Sequence, residues 1–293
     1  MINTLKQKIV LLRNYVIYKY YDFLAKLNPL QYRRNPEAQF VVSIASYPKR
    51  AHLLPAVFEA LNNQTVVPKK WILVLSEEEW PSLILPHYLK NLVKRGVEIV
   101  WVKHNTFAVK KLVPIIEKHP DLGVITFDDE LIYGKYVIEK LIVSSLINKG
   151  AIIGHVGKQL IQKNGELKMQ NRLKEIANLN TPSEQVYFLG GSGTFYPPNS
   201  LDEKVVKIDA IHNIVPGRGS DIWFWAAAVA KNTKQICLGS KANRSLFFSI
   251  PTTKDTEPKD TPGKDIMEQR FQMSIDFFEI RQKLLKTLPN IES

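Results

Sequence analysis

The chain has 293 residues, 45% of them hydrophobic and 23% charged, which suits one large or two small packed domains and excludes a disordered chain. Its formal net charge of +12 calls for an anionic partner, which leaves nucleic acid, a membrane surface or a phosphorylated substrate to consider. The single cysteine, Cys237, excludes an internal disulfide, fits a reducing compartment and reads as a small buried apolar residue.

Residues 1–35 hold seven basic residues (Lys6, Lys8, Arg13, Lys19, Lys26, Arg33, Arg34) against one acid, Asp22. Leu5, Ile9, Leu12, Val16, Tyr20, Phe23 and Leu27 recur at spacings of three and four, one stripe along a helix. A basic helix with an apolar stripe and interfacial tyrosines at 15, 18, 20 and 21 is built to lie on an anionic membrane surface, or else to pack on the domain or on a second subunit. Charges interrupt every apolar run short of the about 20 residues that span a bilayer, and no small-residue cleavage site follows. The expected location is therefore cytoplasmic, peripheral on the inner face of the membrane.

From residue 39 short apolar runs alternate with helical ones. Gln39–Ser46 reads as a buried strand and Ala51–Asn62 as a helix. Trp71–Leu75 is a second strand, and Pro86–Arg95 a helix closed by Gly96. Val97–Val102 is a third strand, followed by a helical stretch, Val109–Glu117, broken or begun near Pro114. Leu122–Phe127 is a fourth strand, and Lys135–Asn148 a helix ending at Gly150. Strand-like runs follow at Ile152–His155 and Val186–Leu189, then a helix over Asp221–Ala230 with Ser220 as its N-cap. A Pro/Thr/Lys/Asp loop at 251–263 leads to one amphipathic helix, Lys264–Leu288. This alternation predicts an α/β fold with a mostly parallel sheet, whose ligands bind beyond the carboxyl ends of the strands. The expected organisation is a basic helical segment over 1–35, a catalytic domain over 36–255, and a C-terminal loop and helix over 256–293.

At one of those strand ends stand Asp128, Asp129 and Glu130, behind a wholly apolar run. Consecutive acids repel one another, and carboxylates one residue apart suit Mn²⁺ or Mg²⁺, cations that prefer oxygen. An exposed acidic turn is the plainer alternative. Asp221, in Gly219-Ser220-Asp221-Ile222-Trp223-Phe224, is either a general base or a helix-start residue favoured by the helix dipole. Gly190-Gly191-Ser192-Gly193 allows close backbone approach to a sugar or phosphate, without being a phosphate-loop or dinucleotide fingerprint. Trp223 and Trp225 offer a stacking wall, with at least one of the two in the core. His155 and His212 stand alone and read as structural, and no Cys/His cluster suggests zinc.

The run VVSIASYPKRAHLLPAVFEALNNQTVVPKKWILVLSEEEWP, then KKLVPIIEKHPDLGVITFDDELIYGKYVIEKL, GGSGTFYPP and SDIWFWAAA, resembles in order the bacterial family-2-like GT-A glycosyltransferases of surface-polysaccharide (capsule or lipopolysaccharide) biosynthesis. The resemblance covers roughly residues 38–270. It implies a Rossmann-like GT-A domain that moves a sugar from a nucleotide donor, UDP by expectation, to a glycan or glycolipid acceptor with inversion. On that pattern Asp128 and Glu130 are the metal ligands, Asp129 lies nearer the donor ribose or sugar, and Ser46, Tyr47 and Arg50 cradle the base. Glu130 stands where the family commonly has Asp. Lys110 and Lys111 either approach the diphosphate or form an exposed helix face. Asp221 matches the base at the head of the acceptor-side helix, and Ser220 replaces the second acid often found there. A catalytically silent scaffold in a polysaccharide-synthesis complex is the alternative, and a nucleic-acid-binding protein a weaker one, since the positive charge gathers at one end. An oligomer through the terminal helices stays open.

Overall fold

The computed structural model describes residues 2–172, 181–239, 246–251 and 263–291. After a long helix α1 (Ile2–Leu27), the chain lays down β1 (Phe40–Ala45), α2 (Leu54–Asn62), β2 (Trp71–Ser76), α3 (His87–Lys94), β3 (Val97–Val102), α4 (Val113–Lys118) and β4 (Gly123–Phe127). Strands β1, β2 and β4 are buried along their length, and β-branched and aromatic residues fill them, as expected of strands covered on both faces. Alternation along β1 sends Val41 into one core and Val42 and Ile44 into the other.

Beyond β4 come β5 (Leu131–Tyr133), α5 (Val137–Ile147), β6 (Ile152–Gly154), β7 (Gly157–Lys163), β8 (Glu166–Arg172), β9 (Val186–Phe188) and β10 (Thr194–Tyr196). The chain continues through α6 (Ile208–Ile214), α7 (Ser220–Ala230), β11 (Gln235–Cys237), β12 (Phe247–Ser249), α8 (Lys264–Phe277), α9 (Arg281–Thr287) and β13 (Asn290–Ile291). Seven strands form the central sheet in the order β11-β6-β10-β4-β1-β2-β3. All neighbours are parallel except β10, which runs antiparallel between β4 and β6. The expected α/β architecture with a mostly parallel sheet and helices at both ends is thus what the chain adopts.

Two local expectations are corrected. Ser220 is the first residue of α7 and makes no capping hydrogen bond; Gly219, at φ 119°, precedes it in a conformation that favours glycine. The predicted helix over 264–288 is two, α8 and α9, with Glu279 at φ 59° turning the chain between them. The stretch over 109–117 breaks near Pro114 as expected, into a 3₁₀ turn at Phe107–Lys111 and α4, with Pro114 in the first turn, where its missing N–H costs nothing. The expected loop at 251–263 falls largely outside the described residues.

Helix α1 lies against the domain. Asn28, just past its end, donates from Nδ2 to Glu59 Oε1 at 2.8 Å, and Glu59 is paired at 2.8 Å with the buried Arg95 guanidinium. Arg95 in turn sits 4.1 Å over the Tyr32 ring. This closed set of bonds ties the segment after α1 to α2 and to the end of α3. The apolar stripe faces the other way: its seven residues are each between 57% and 65% exposed. Among the described residues, no helix is long and apolar enough to cross a membrane.

Candidate active site

The acidic triplet begins where β4 leaves the sheet. Phe127 closes the strand against the ring of Tyr133, with centroids 4.3 Å apart. The Tyr133 hydroxyl accepts from the Asp128 backbone N–H at 2.8 Å and donates to the Gly191 carbonyl at 2.7 Å. Burial holds this phenol well above its ordinary pKa, so it stays a neutral donor. On the far side of the turn, the Ile250 N–H bonds to the Glu130 carbonyl at 2.9 Å, beside the antiparallel β5–β12 pair. The backbones of Asp128 and Glu130 are therefore held by Tyr133 and Ile250.

Their side chains diverge. Asp129 is buried; its Oδ2 accepts from Ser46 Oγ at 2.6 Å, and its Oδ1 lies 3.4 Å from Arg50 Nη1. Burial raises the Asp129 pKa, while Ser46 and Arg50 act against that rise. The other arm of Arg50 reaches Glu130 Oε2 at 2.8 Å. Glu130 is likewise pushed up by burial and held down by Arg50. Tyr47 is half-buried beneath Arg50, whose guanidinium carbon is 5.6 Å from the ring centre. Ser46, Tyr47 and Arg50 thus meet around Asp129 at the carboxyl end of β1.

Asp128 points elsewhere, to Lys111 Nζ at 2.8 Å. Both lysines of the 3₁₀ turn are buried, which rules out the exposed-face reading. Lys110 bonds to Glu79 and, at 3.0 Å, to Asn105 Oδ1; burial lowers its pKa against the pull of Glu79. For Lys111 burial acts downward too, but the Asp128 and Asp221 carboxylates outweigh it and raise the pKa, keeping the ammonium charged.

Asp221 lies in the first turn of α7, where the helix dipole favours a negative charge. Its Oδ2 accepts from the Gly190 N–H at 3.3 Å. Gly190 and Gly191 make room for the acids themselves. A Cβ on Gly191 would stand 2.3 Å from Asp128 Oδ2, and one on Gly190 would stand 2.7 Å from Asp221 Oδ1. The two glycines form a bare backbone ledge with Asp128 against one residue and Asp221 against the other. Residue order predicts close approach here; the neighbour at that ledge is protein carboxylate.

The tryptophan expectation is corrected. Trp223 and Trp225 are both core, with indole N–H groups bonded to the Val205 and Glu184 carbonyls and rings stacked on Phe277 and Phe271. His155 is fully buried, its Nε2 2.9 Å from the Val137 carbonyl, and burial lowers its pKa to about 4. His212 Nε2 sits 3.2 Å from the Asn105 carbonyl. Tyr133 and Glu79 shape the site without any signal in the sequence beyond their places in or just after apolar runs.

Among the described residues, no three His, Cys, Asp or Glu side chains gather as a self-sufficient metal site. Asp128 and Glu130 have side chains 33% and 34% exposed on either side of a buried Asp129, engaged by Lys111 and Arg50 respectively. A hard divalent cation held by them would take most of its oxygens from a phosphate-bearing ligand and water.

No protein-family profile and no curated protein matches the sequence. Among solved structures, the chain is similar to Staphylococcus aureus TarS 1–349 in complex with UDP-GlcNAc, at 9% identity and a TM-score of 0.49 over 83% of this chain. It is also similar to TarS 1–349 in complex with UDP, at 13% identity and a TM-score of 0.41 over 69% of this chain, and to TarS itself, at 8%, 0.44 and 74%. The chain spans 66%, 59% and 37% of the lengths of those three. At such identity and overlap the likeness carries no functional weight.

Proposed function

We propose that the chain is a glycosyltransferase that moves a sugar, with inversion, from a nucleotide donor to a hydroxyl of a glycan carried on a membrane lipid. The observation that carries this reading is the placing of Asp128 and Asp221 against one glycine ledge, with the Lys111 ammonium bonded to Asp128 and within the field of Asp221. Such a site offers a cationic, oxygen-rich seat for a diphosphate and, across the ledge, a carboxylate aimed at an acceptor.

In the proposed reaction Asp221 accepts the proton of the acceptor hydroxyl as that oxygen attacks the anomeric carbon from the face opposite the leaving group. The bond from the anomeric carbon to the diphosphate oxygen breaks, and its electron pair leaves with the nucleoside diphosphate. Asp128 and Glu130 would hold a Mn²⁺ or Mg²⁺ ion, which supplies Lewis-acid neutralisation of the leaving diphosphate when bound. Lys111 and Arg50 stand beside these acids and add positive charge to the same region. Ser46 and Tyr47, at the end of β1, take the nucleotide side, with UDP assigned on the resemblance. Surface-polysaccharide synthesis on the cytoplasmic face of the membrane is the setting that suits α1, with its exposed apolar stripe and basic flanks.

The test is Asp221→Asn, with donor binding and sugar transfer measured separately. A panel of nucleotide-sugars screened by thermal shift, with and without Mn²⁺, identifies the donor. The variant is expected to keep donor affinity and lose transfer by a hundredfold or more, within the about 10²–10⁴ that a general base contributes. Near-normal turnover in the variant would remove Asp221 from the reaction.

A further inference from the structure

Helix α1 does not dock on the domain through its apolar stripe. Asn14, the one buried residue among those of α1 whose burial is described, donates from Nδ2 to the Ser249 carbonyl of β12 at 3.1 Å, and Arg13 covers the Phe248 ring at 5.1 Å. Ile17, Tyr18 and Tyr21 pack on the core, and an open groove of about 410 Å³ lies between the helix and the β5–β12 pair. Val16, Tyr20 and Tyr21 form one wall; Ile132, Tyr133 and Phe248 form the other.

Two features of the groove identify an occupant. Val16 and Tyr20 belong both to the groove and to the exposed stripe, so the cavity opens directly onto the surface proposed to face the bilayer. Exposed cations adjoin its lining: Arg13 of α1 lies over Phe248, and Lys135 follows Gly134 in the chain. An apolar channel with a cationic rim is complementary to a hydrocarbon chain ending in a phosphate. The volume is within the range of about 300–1,000 Å³ usual for small-ligand sites.

We propose that this groove seats the hydrocarbon chain of the lipid phosphate that carries the acceptor. The identity of that lipid rests on the glycosyl-transfer reading. Tyr133 gives the seat a direct link to the candidate active site. Tyr133 is among the groove's lining residues, and its hydroxyl bonds the Asp128 backbone and the Gly191 carbonyl. An acceptor anchored there would present its glycan beside the glycine ledge.

The experiment titrates the full chain with dodecyl phosphate below its micelle concentration, following binding by calorimetry, with UDP affinity in Mn²⁺ measured in parallel. Wild type is expected to bind saturably. Val16→Asp, at an exposed position on the groove wall, should weaken dodecyl phosphate binding tenfold or more; Leu5→Asp, on the same stripe outside the groove, should leave it unchanged. Both variants should keep the wild-type circular dichroism spectrum and UDP affinity. Absence of saturable binding, or equal binding by Val16→Asp, would overturn the proposal. So would a Val16→Asp effect confined to sedimentation as a dimer, which would give the groove to a second copy of the chain. Dodecyl phosphate binding without UDP binding would support the lipid seat while removing the donor reading.

Discussion

Lys111 Nζ lies 2.8 Å from Asp128 Oδ1, and the same buried ammonium is drawn upward in pKa by Asp221 across the ledge. Two carboxylates far apart in the chain thus act on one ammonium. Without it the ledge would bring like charges together beside a buried backbone.

Lys111→Met is therefore expected to destabilise the protein and to weaken the donor site. A fully buried pair broken at one partner costs about 3–5 kcal/mol, but Asp128 is a third exposed, so about 1–3 kcal/mol is the expected loss. That corresponds to a fall in melting temperature of roughly 2–12 °C for a domain of this size. The loss should shrink in the Lys111→Met/Asp128→Asn double variant, read by differential scanning calorimetry. A single variant as stable as wild type would mean that the pair contributes nothing.

Gly191→Ala tests the ledge. Its backbone is outside the left-handed region, so alanine is tolerated by the main chain, yet its Cβ would meet Asp128 Oδ2 at 2.3 Å. The carboxylate has to rotate away from Lys111. Mn²⁺-dependent UDP affinity should fall about tenfold, roughly 1.4 kcal/mol, with the circular dichroism spectrum unchanged. Unaltered affinity would show that the orientation of Asp128 is not used.

His155 predicts a pH dependence of stability. Its pKa falls from 6.5 to about 4 on burial, so the folded state binds the proton less well than the unfolded one. Stability from this group is complete above pH 6.5 and is lost progressively as pH falls towards 4, up to about 3 kcal/mol. Urea unfolding between pH 4 and 7 should show a steeper acid loss in wild type than in His155→Leu. Parallel curves would refute the assignment.

The stripe of α1 predicts association with anionic membranes. Ile9→Glu combined with Phe23→Glu, both at exposed positions, should abolish flotation with phosphatidylglycerol vesicles without altering thermal stability. Flotation should also decline with salt, because each basic group near the surface is worth about 1 kcal/mol. Unchanged flotation in the double variant would move the stripe to another role.

Much of this arrangement is legible in the residue order. The first four strands lie within a residue or so of their predicted bounds, since strands buried on both faces write themselves as continuous apolar runs. Asp128–Glu130 and Asp221 stand out by residue type and by their places at a strand end and a helix start. The ledge was not readable, because the Gly191–Asp128 approach depends on β10 entering antiparallel between β4 and β6, a pairing with no local signature. Burial of Lys110 and Lys111 was hidden for a related reason: their partners, Glu79 and Asp128, come from other strand ends. The break between α8 and α9 carries no Gly or Pro, since Glu279 itself takes the left-handed turn.

The central claim is that Asp128, with Glu130, holds a cation that grips a nucleotide diphosphate. Calorimetric titration of UDP into the full chain, with Mn²⁺ and then with EDTA, measures it directly. Wild type should bind at least tenfold more tightly with Mn²⁺, and Asp128→Asn should abolish that gain. A UDP affinity indifferent to Mn²⁺ in wild type, or a gain that survives in Asp128→Asn, would contradict it.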